Sequence, residues 1–479
     1  MNYKLMLNLI GKLQVVIGVS MLFPLIWALY RGEEQVWSFA ISAGITFTLG
    51  VLLILLFKQR GEIHYKEGFV LVAAIWIVAA LSCSLPFYFA GTFETYADAF
   101  FESMSGVTTT GASVMTDIEG NPESILLWRA TTHWLGGMGI VVLFVGLLAQ
   151  LGIGAMKMFK AEVPGPTKEK IRPRLKETAR VMLSIYIGLT GIQLIIMFML
   201  GLNFLDAVCQ SFSTIATGGF SNRNESVGAF DPIVQWAITL FMFLGGTSFV
   251  LYYRALKGKS LNTFWKNEEF RLYGGIIATV SLLTFLNVRD QYASIEEALR
   301  HATFQVVSIT TTTGFATADY DAWPIMVKVM IMGLMFMGGC VGSTSGGLKM
   351  GRHLIMLKHT MLELRRTIHP RAIISLKINK RVINPEIILS VLQFFFLYMV
   401  IFLIASIYMA SLGFDLTTSF TSAAASIGNV GPGFGLVGPA ENFAFMPSGA
   451  KYVHSLLMLL GRLELYTILV LLSPKVWKS

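Results

Sequence analysis

Long apolar runs broken by short polar stretches make up this chain, and four of the breaks are alike. A Thr/Gly-rich tract lies between two apolar segments at residues 108–113 (TTTGAS), 216–221 (ATGGFS), 310–316 (TTTTGFA) and 428–433 (GNVGPG). Two apolar segments, roughly 9–30 and 36–57, come first with no tract between them. The first is span-length and lacks a small-residue cleavage site, so it reads as a retained helix rather than a signal peptide. From residue 68 the order becomes span, short outer segment, tract, span, four times over. Runs such as Val141 to Leu151 and Ile387 to Ser411 are too long and uncharged for a globular core. The pattern predicts an all-α polytopic membrane protein with ten full spans and four re-entrant segments. It comprises an N-terminal extension (1–67) and four pseudo-symmetric units (68–178, 179–271, 272–383 and 384–479) around one pore.

Charge sets the expected orientation. Segments 58–67, 157–180, 254–271 and 349–381 carry three, eight, five and nine Lys or Arg. Between Gly91 and Trp128 stand six acidic residues and no basic one. By the positive-inside rule the basic segments are cytoplasmic and the tracts open outward. The net +9 is therefore a topology signal rather than a nucleic-acid footprint. Cys83, Cys209 and Cys340 show no metal or disulfide spacing. No catalytic motif appears, so the chain reads as non-enzymatic, with no bound cofactor.

The tracts align without gaps. Placing Ser105 on Ser213 and Ser308 brings Gly111 onto Gly219 and Gly314, with Gly431 in the fourth. Asp98 and Asp206 then lie thirteen residues before their glycines and read as helix N-caps; Asp415 and Glu297 do not fit that spacing. The stretch from cap to tract is too short to cross about 30 Å of hydrocarbon, so it must dip in and return. Irregular backbone at that depth is tolerated only beside protein or a water-filled cavity. Each short helix turns its C-terminal, partly negative end toward that cavity, which favours cations. Glycine lets successive carbonyls point one way, and threonine adds a hydroxyl acceptor. The rival reading is four ordinary extracellular loops whose glycines serve helix packing.

A second aligned feature lies about one helix length below each tract. Three units read LGGMG, LGGTS and MGGCV, whereas the fourth reads LGRLE, so Arg462 stands where the others have Gly137, Gly246 and Gly339. A charge at that depth is expected to face water or a partner. An ion pair with Glu464 is the alternative, weakened because residues two apart point to different faces. Arg129 and His133, near the outer end of their span, read as interfacial or packing residues. From Gly338 to Gly347 the chain reads GGCVGSTSGG, too glycine-rich for a stable helix. Close helix packing is the competing explanation.

These motifs resemble the Trk/Ktr/HKT superfamily of potassium-uptake proteins, and the two extra N-terminal helices resemble its bacterial Trk branch rather than the shorter Ktr branch. The resemblance covers 68–473 and implies a filter with one glycine per unit. Its residues here are Thr109, Thr110, Gly111 and Ala112; Thr217, Gly218, Gly219 and Phe220; Thr312, Thr313, Gly314 and Phe315; and Asn429, Val430, Gly431 and Pro432. Only one glycine is shared with the TVGYG pattern of potassium channels, which implies looser selectivity. In plant relatives Ser at the first glycine goes with sodium preference, so Gly111 implies potassium as the transported ion. The resemblance further implies that a loop with Gly338, Gly339, Gly342, Gly346 and Gly347 lies under the filter and gates it, while Arg462, read from its depth in the span, faces the pore as an electrostatic barrier just below the filter. It also implies a bacterial inner-membrane homodimer and a cytosolic ring of nucleotide-binding RCK subunits of TrkA type. The rival function is a proton- or sodium-coupled secondary cation transporter. It is disfavoured because Glu464 is almost the only carboxylate deep in the apolar segments.

Overall fold

The structure is a computed structural model that describes residues 2–58, 65–151, 171–371 and 374–474. Most of the expected basic segment 157–180 and part of 58–67 lie outside the described residues. The fold is all-helical apart from one two-stranded hairpin, Lys377–Ile378 with Arg381–Val382.

Six helices are long and apolar enough to cross a membrane: Tyr3–Arg31, Val36–Leu56, Lys66–Phe89, Ala179–Met199, Glu268–Gln291 and Pro385–Ser411. Two further pairs, Pro232–Gly245 with Phe249–Gly258 and Ser448–Arg462 with Tyr466–Leu472, bend by 88° and 110° and bring the number to eight. These eight are counted among the described residues and include neither the 29-residue helix Glu123–Leu151 nor the interrupted helix of the third unit. In the last three units the helix after the tract breaks at the aligned Gly-Gly or Gly-Arg position. The second breaks at Gly246; the third stops at Met335 and resumes at Met350; the fourth turns at Glu464, whose φ is 55°. Hydropathy registers a span there, because it does not register helix breaks.

The first two long helices pack through glycine. A Cβ at Gly11 would lie 2.8 Å from the Gly50 carbonyl oxygen, and one at Gly50 would lie 2.8 Å from that of Gly11; such close backbone approach is how apolar helices associate in lipid. The extension is fastened to the start of helix Glu123–Leu151, where Glu123 accepts from Trp27 Nε1 at 3.0 Å and pairs with Arg31 at 2.7 Å.

Four short, largely buried helices precede the tracts: Tyr96–Val107, Phe204–Ile215, Ile295–Thr310 and Leu416–Gly428. All four are capped, by Thr95, Asn203, Ser294 and Asp415, each side chain accepting the N–H three residues on. The expected caps Asp98 and Asp206 therefore sit one turn inside their helices. There they meet the macrodipole favourably and pair with Lys451 (2.5 Å) and Arg223 (2.7 Å). Glu297 occupies the same register after Ser294. A threonine or asparagine at the start of a capping pattern is the signal that the acidic residue outweighed in the sequence.

Charge placement generates a labelling test. In a chain lacking Cys83, Cys209 and Cys340, all buried, cysteine at exposed Thr116 should react with an impermeant maleimide on intact cells. Cysteine at exposed Lys266 should react only after permeabilisation. The reverse pattern would invert the topology.

Candidate functional site

Each short helix ends in the same turn. The residue two before each aligned glycine is left-handed: Thr109 (φ 51°), Thr217 (52°), Thr312 (56°) and Asn429 (52°). The next amide reaches back five residues, Thr110 to Ser105 O at 2.9 Å and Gly218, Thr313 and Val430 to Ser213, Ser308 and Ala425 at 2.8 Å. This is a Schellman termination with Thr or Asn where glycine is usual. Left-handed backbone costs a β-branched residue about 1–2 kcal/mol, and strain of this kind collects at functional sites. The glycines follow at φ 82°, 86°, 81° and 99°.

The four turns close on one another. A Cβ at Gly111 would collide with the carbonyl oxygen of Gly218, one at Gly219 with that of Thr313, and one at Gly314 with that of Val430. One at Gly431 would lie 2.7 Å from that of Thr110, which completes the circuit. Every carbonyl in this ring belongs to the residue just before a glycine. Among the described residues none of the four has a hydrogen-bond donor. Buried carbonyls are almost always paired, so four adjoining ones without a donor leave oxygen lone pairs open to a ligand.

Side chains act around this ring rather than in it. The Thr110 hydroxyl bonds Thr108 at 2.8 Å and accepts from Asn429 Nδ2 at 3.0 Å, and Thr313 bonds Thr311 at 2.7 Å. The hydroxyls of Thr110 and Thr313 are thus engaged behind the turns, whereas the buried Thr109 hydroxyl has no partner among the described residues. Phe220 stacks on His133 at 4.1 Å beneath the Arg129 guanidinium at 4.2 Å. Phe315 is fully buried, and its carbonyl accepts from Ser308 Oγ at 2.7 Å. Ala112 is buried, and Pro432 Cδ lies 2.9 Å from a Cβ position at Gly314.

Below the ring, residues 336–349 form no helix. Gly342 and Gly347 are left-handed, at φ 79° and 65°. The loop reaches three tracts: Thr344 Oγ1 donates to Ile215 O at 2.9 Å, Gly346 N–H donates to Thr312 Oγ1 at 2.7 Å, and a Cβ at Gly346 would lie 2.7 Å from Asn429 Cβ. Arg462 is buried and donates from Nη1 to Thr344 O at 2.7 Å, while its Nε and Nη2 have no partner among the described residues. Glu464 pairs with Arg352 at 2.7 Å, so it does not neutralise Arg462. Gly137 and Gly246 pack against the next turn, a Cβ there lying 3.0 Å from Ala216 Cα and 2.8 Å from Thr311 Cγ2. A Cβ at Gly339 would lie 2.5 Å from Gly246 O. These glycines allow close packing rather than matching Arg462 as members of one open ring.

Sequence reasoning passed over the residues nine before three of the glycines. Glu102 accepts from Val114 N–H at 2.9 Å, Gln210 donates to Ser221 Oγ and Asn222 Oδ1 at 3.1 Å, and Gln305 donates to Ala318 O at 3.1 Å. Each ties its returning strand to its own helix, and the constant offset in a gap-free alignment was the available signal. Arg129 is no interfacial residue. It pairs with Glu102 at 2.8 Å, both side chains almost wholly buried, and donates to Ser221 O at 2.9 Å and Ser113 Oγ at 3.1 Å, so it joins the first two returning strands. Further out Asn224 bonds Asp117 at 3.1 Å and, with the Gly120 N–H, holds that carboxyl below its ordinary range.

Apolar helices of spanning length around a ring of unpaired carbonyls define a multi-pass membrane protein of the cation-transport class. Residues 37–479 match the family model TrkH, described as a cation transport protein, and the chain belongs to that family, a transport family rather than an enzyme family. It is 37% identical over the whole of both chains to the Trk system potassium uptake protein TrkH of Salmonella typhimurium. It is 34% identical to TrkG of Escherichia coli, over 100% of this chain and 99% of the relative. The crystal structure of the potassium transporter TrkH from Vibrio parahaemolyticus matches over 100% of both chains with a TM-score of 0.91 at 33% identity.

The buried ion pair yields a stability test. Arg129→Ala leaves Glu102 charged and unpaired, which should cost about 3–5 kcal/mol. Replacing both partners, as Glu102→Gln with Arg129→Met, should recover part of that loss. Thermal unfolding in detergent reads the order; a wild-type midpoint for Arg129→Ala would remove the pair from the frame of the ring.

Proposed function

We propose that this chain is the potassium-translocating subunit of a Trk-type uptake system in a bacterial inner membrane. One observation carries the reading: the closed circuit in which each glycine abuts the unpaired carbonyl preceding the next. A dehydrated alkali cation needs several oxygens at once, and a ring of carbonyls offers them without a fixed charge. The names of the relatives supply the ion. In this reading the four units 68–178, 179–271, 272–383 and 384–479 each contribute one filter segment. The carbonyls of Thr110, Gly218, Thr313 and Val430 form the central ring, with the carbonyls of the neighbouring filter residues above and below.

The glycine loop 338–347 and Arg462 act as the gate beneath the filter. The contacts of Thr344, Gly346 and Arg462 support this, because they lay the loop across three of the four turns. A positive charge in a poorly screened passage repels a cation far more strongly than it would in water. The basic cytoplasmic face suits a cytosolic RCK-type nucleotide-binding partner and a homodimer, both proposed from the family. A proton-coupled mechanism gains no support from the deep carboxylates, since Glu464 and Glu102 are each held by an arginine.

Two measurements on purified protein in liposomes test the reading. Gly111→Ser places a side chain against the Gly218 carbonyl at a left-handed position and should lower the potassium/sodium permeability ratio. An unchanged bi-ionic reversal potential would take Gly111 out of the filter. Arg462→Ala should raise potassium flux without any cytosolic partner, and Arg462→Lys should keep most of the block. Normal folded yield with unchanged or reduced flux in Arg462→Ala would rule out the barrier.

A further inference from the structure

Where helix Glu268–Val288 begins, two adjacent carboxylates reach in different directions. Glu269 Oε1 accepts the Val341 N–H of the glycine loop at 2.6 Å. The following helix, Met350–Ile368, leaves room for that reach: a Cβ at Gly351 would lie 3.2 Å from the same Oε1 and 2.9 Å from Val341 Cγ2. The loop is therefore held by two long side chains three residues apart, Arg462 on the Thr344 carbonyl and Glu269 on the Val341 amide. Glu268 turns instead to the hairpin Lys377–Val382. Its N–H donates to Asn379 Oδ1 at 2.9 Å, its carboxylate accepts the Asn379 N–H at 3.0 Å, and it pairs with Lys358. Asn379 and Lys380 are both left-handed, at φ 48° and 66°, and form the tight tip of the hairpin.

We infer that Glu269 is a positioning residue that holds the glycine loop beneath the carbonyl ring, and that Glu268 and Asn379 connect this hold to the exposed hairpin. The inference rests on the reading of the loop as a gate. Val341 has no other acceptor for its amide among the described residues, so losing Glu269 leaves that donor unpaired, which costs more than the bond itself contributes. The hairpin lies in the basic segment assigned to the cytoplasm and is largely exposed. Anything that moves it acts on Glu268, one residue from the latch. The chain thus carries a short mechanical path from its cytoplasmic surface to the loop, independent of Arg462.

Potassium flux and reversal potential of the full chain in liposomes, with folded yield from the same preparation, test this. Glu269→Ala should raise flux about tenfold, the shift expected from losing one hydrogen bond, with the reversal potential unchanged. Glu269→Gln, which keeps an acceptor at the same reach, should stay near wild type. Asn379→Gly, which suits the left-handed tip, should raise flux less, and adding it to Glu269→Ala should give no further rise. Arg462→Ala serves as the reference. If it raises flux while Glu269→Ala leaves or lowers it, the latch is wrong and the gate reading stands. If neither variant raises flux, the gate reading falls and the latch with it. Full additivity of Asn379→Gly and Glu269→Ala would disconnect the hairpin from the loop.

Discussion

A backbone carbonyl removed from water must find a donor or a cation, and this structure keeps four such carbonyls unpaired at one place. The ring cannot be built from ordinary helix ends. In a Schellman termination the last-turn carbonyls are taken by the two amides that follow, and the next one, on the residue between two left-handed positions, is left over. Four such remainders meet because glycines let neighbouring backbones approach to a distance that a Cβ would forbid. Short helices, caps, buried ion pairs and the loop below are arrangements that keep this approach from relaxing.

Holding four strained turns in register requires fastening from behind. Each returning strand is bound differently: the first through Glu102 and Arg129, the second through Gln210 and Asn222, the third through Ser308 and Gln305, and the fourth through Thr421, whose hydroxyl both donates to Phe434 O and accepts its N–H at 3.0 Å. Similar turn geometry with unlike supports is what one expects when the backbone shape is fixed by the close approach of the four turns and side chains only have to supply rigidity. The first support is the one built on a buried full charge pair. Such a pair adds little net stability over an apolar replacement, yet it is costly to break on one side, which suits a part that must keep a single geometry.

Much of this was legible in the sequence, because glycine and Thr/Gly tracts report backbone geometry directly. The aligned glycines at 111, 219, 314 and 431 and the helix-breaking run 338–347 are local signals, and the structure brings the same residues together. What escaped were relations between distant residues. Arg129 and Glu102 are 27 apart, Glu269 and Val341 are 72 apart, and nothing in a hydropathy profile says that two polar residues on different helices will meet. Local signals failed in a second way as well. Asp98 and Asp206 carried the stronger charge and so drew the cap assignment from Thr95 and Asn203, although the dipole rewards an acid within the first turn and not only at its edge.

The break in the helix after three of the four tracts explains why the lower half of the molecule differs from the upper. A continuous apolar helix would satisfy its own backbone and leave no chain free to cross beneath the ring. Breaking it at Met335 frees the segment to Met350, whose amides and carbonyls then need outside partners. They find them in Gly246 O, the Phe249 N–H, Thr312, Arg462 and Glu269. Two of these partners, Arg462 and Glu269, stand on different helices, so the loop's position depends on how those helices sit. A ring built from backbone alone has no side chain through which distant helices could act on it, but a loop pinned by an arginine on one helix and a glutamate on another does.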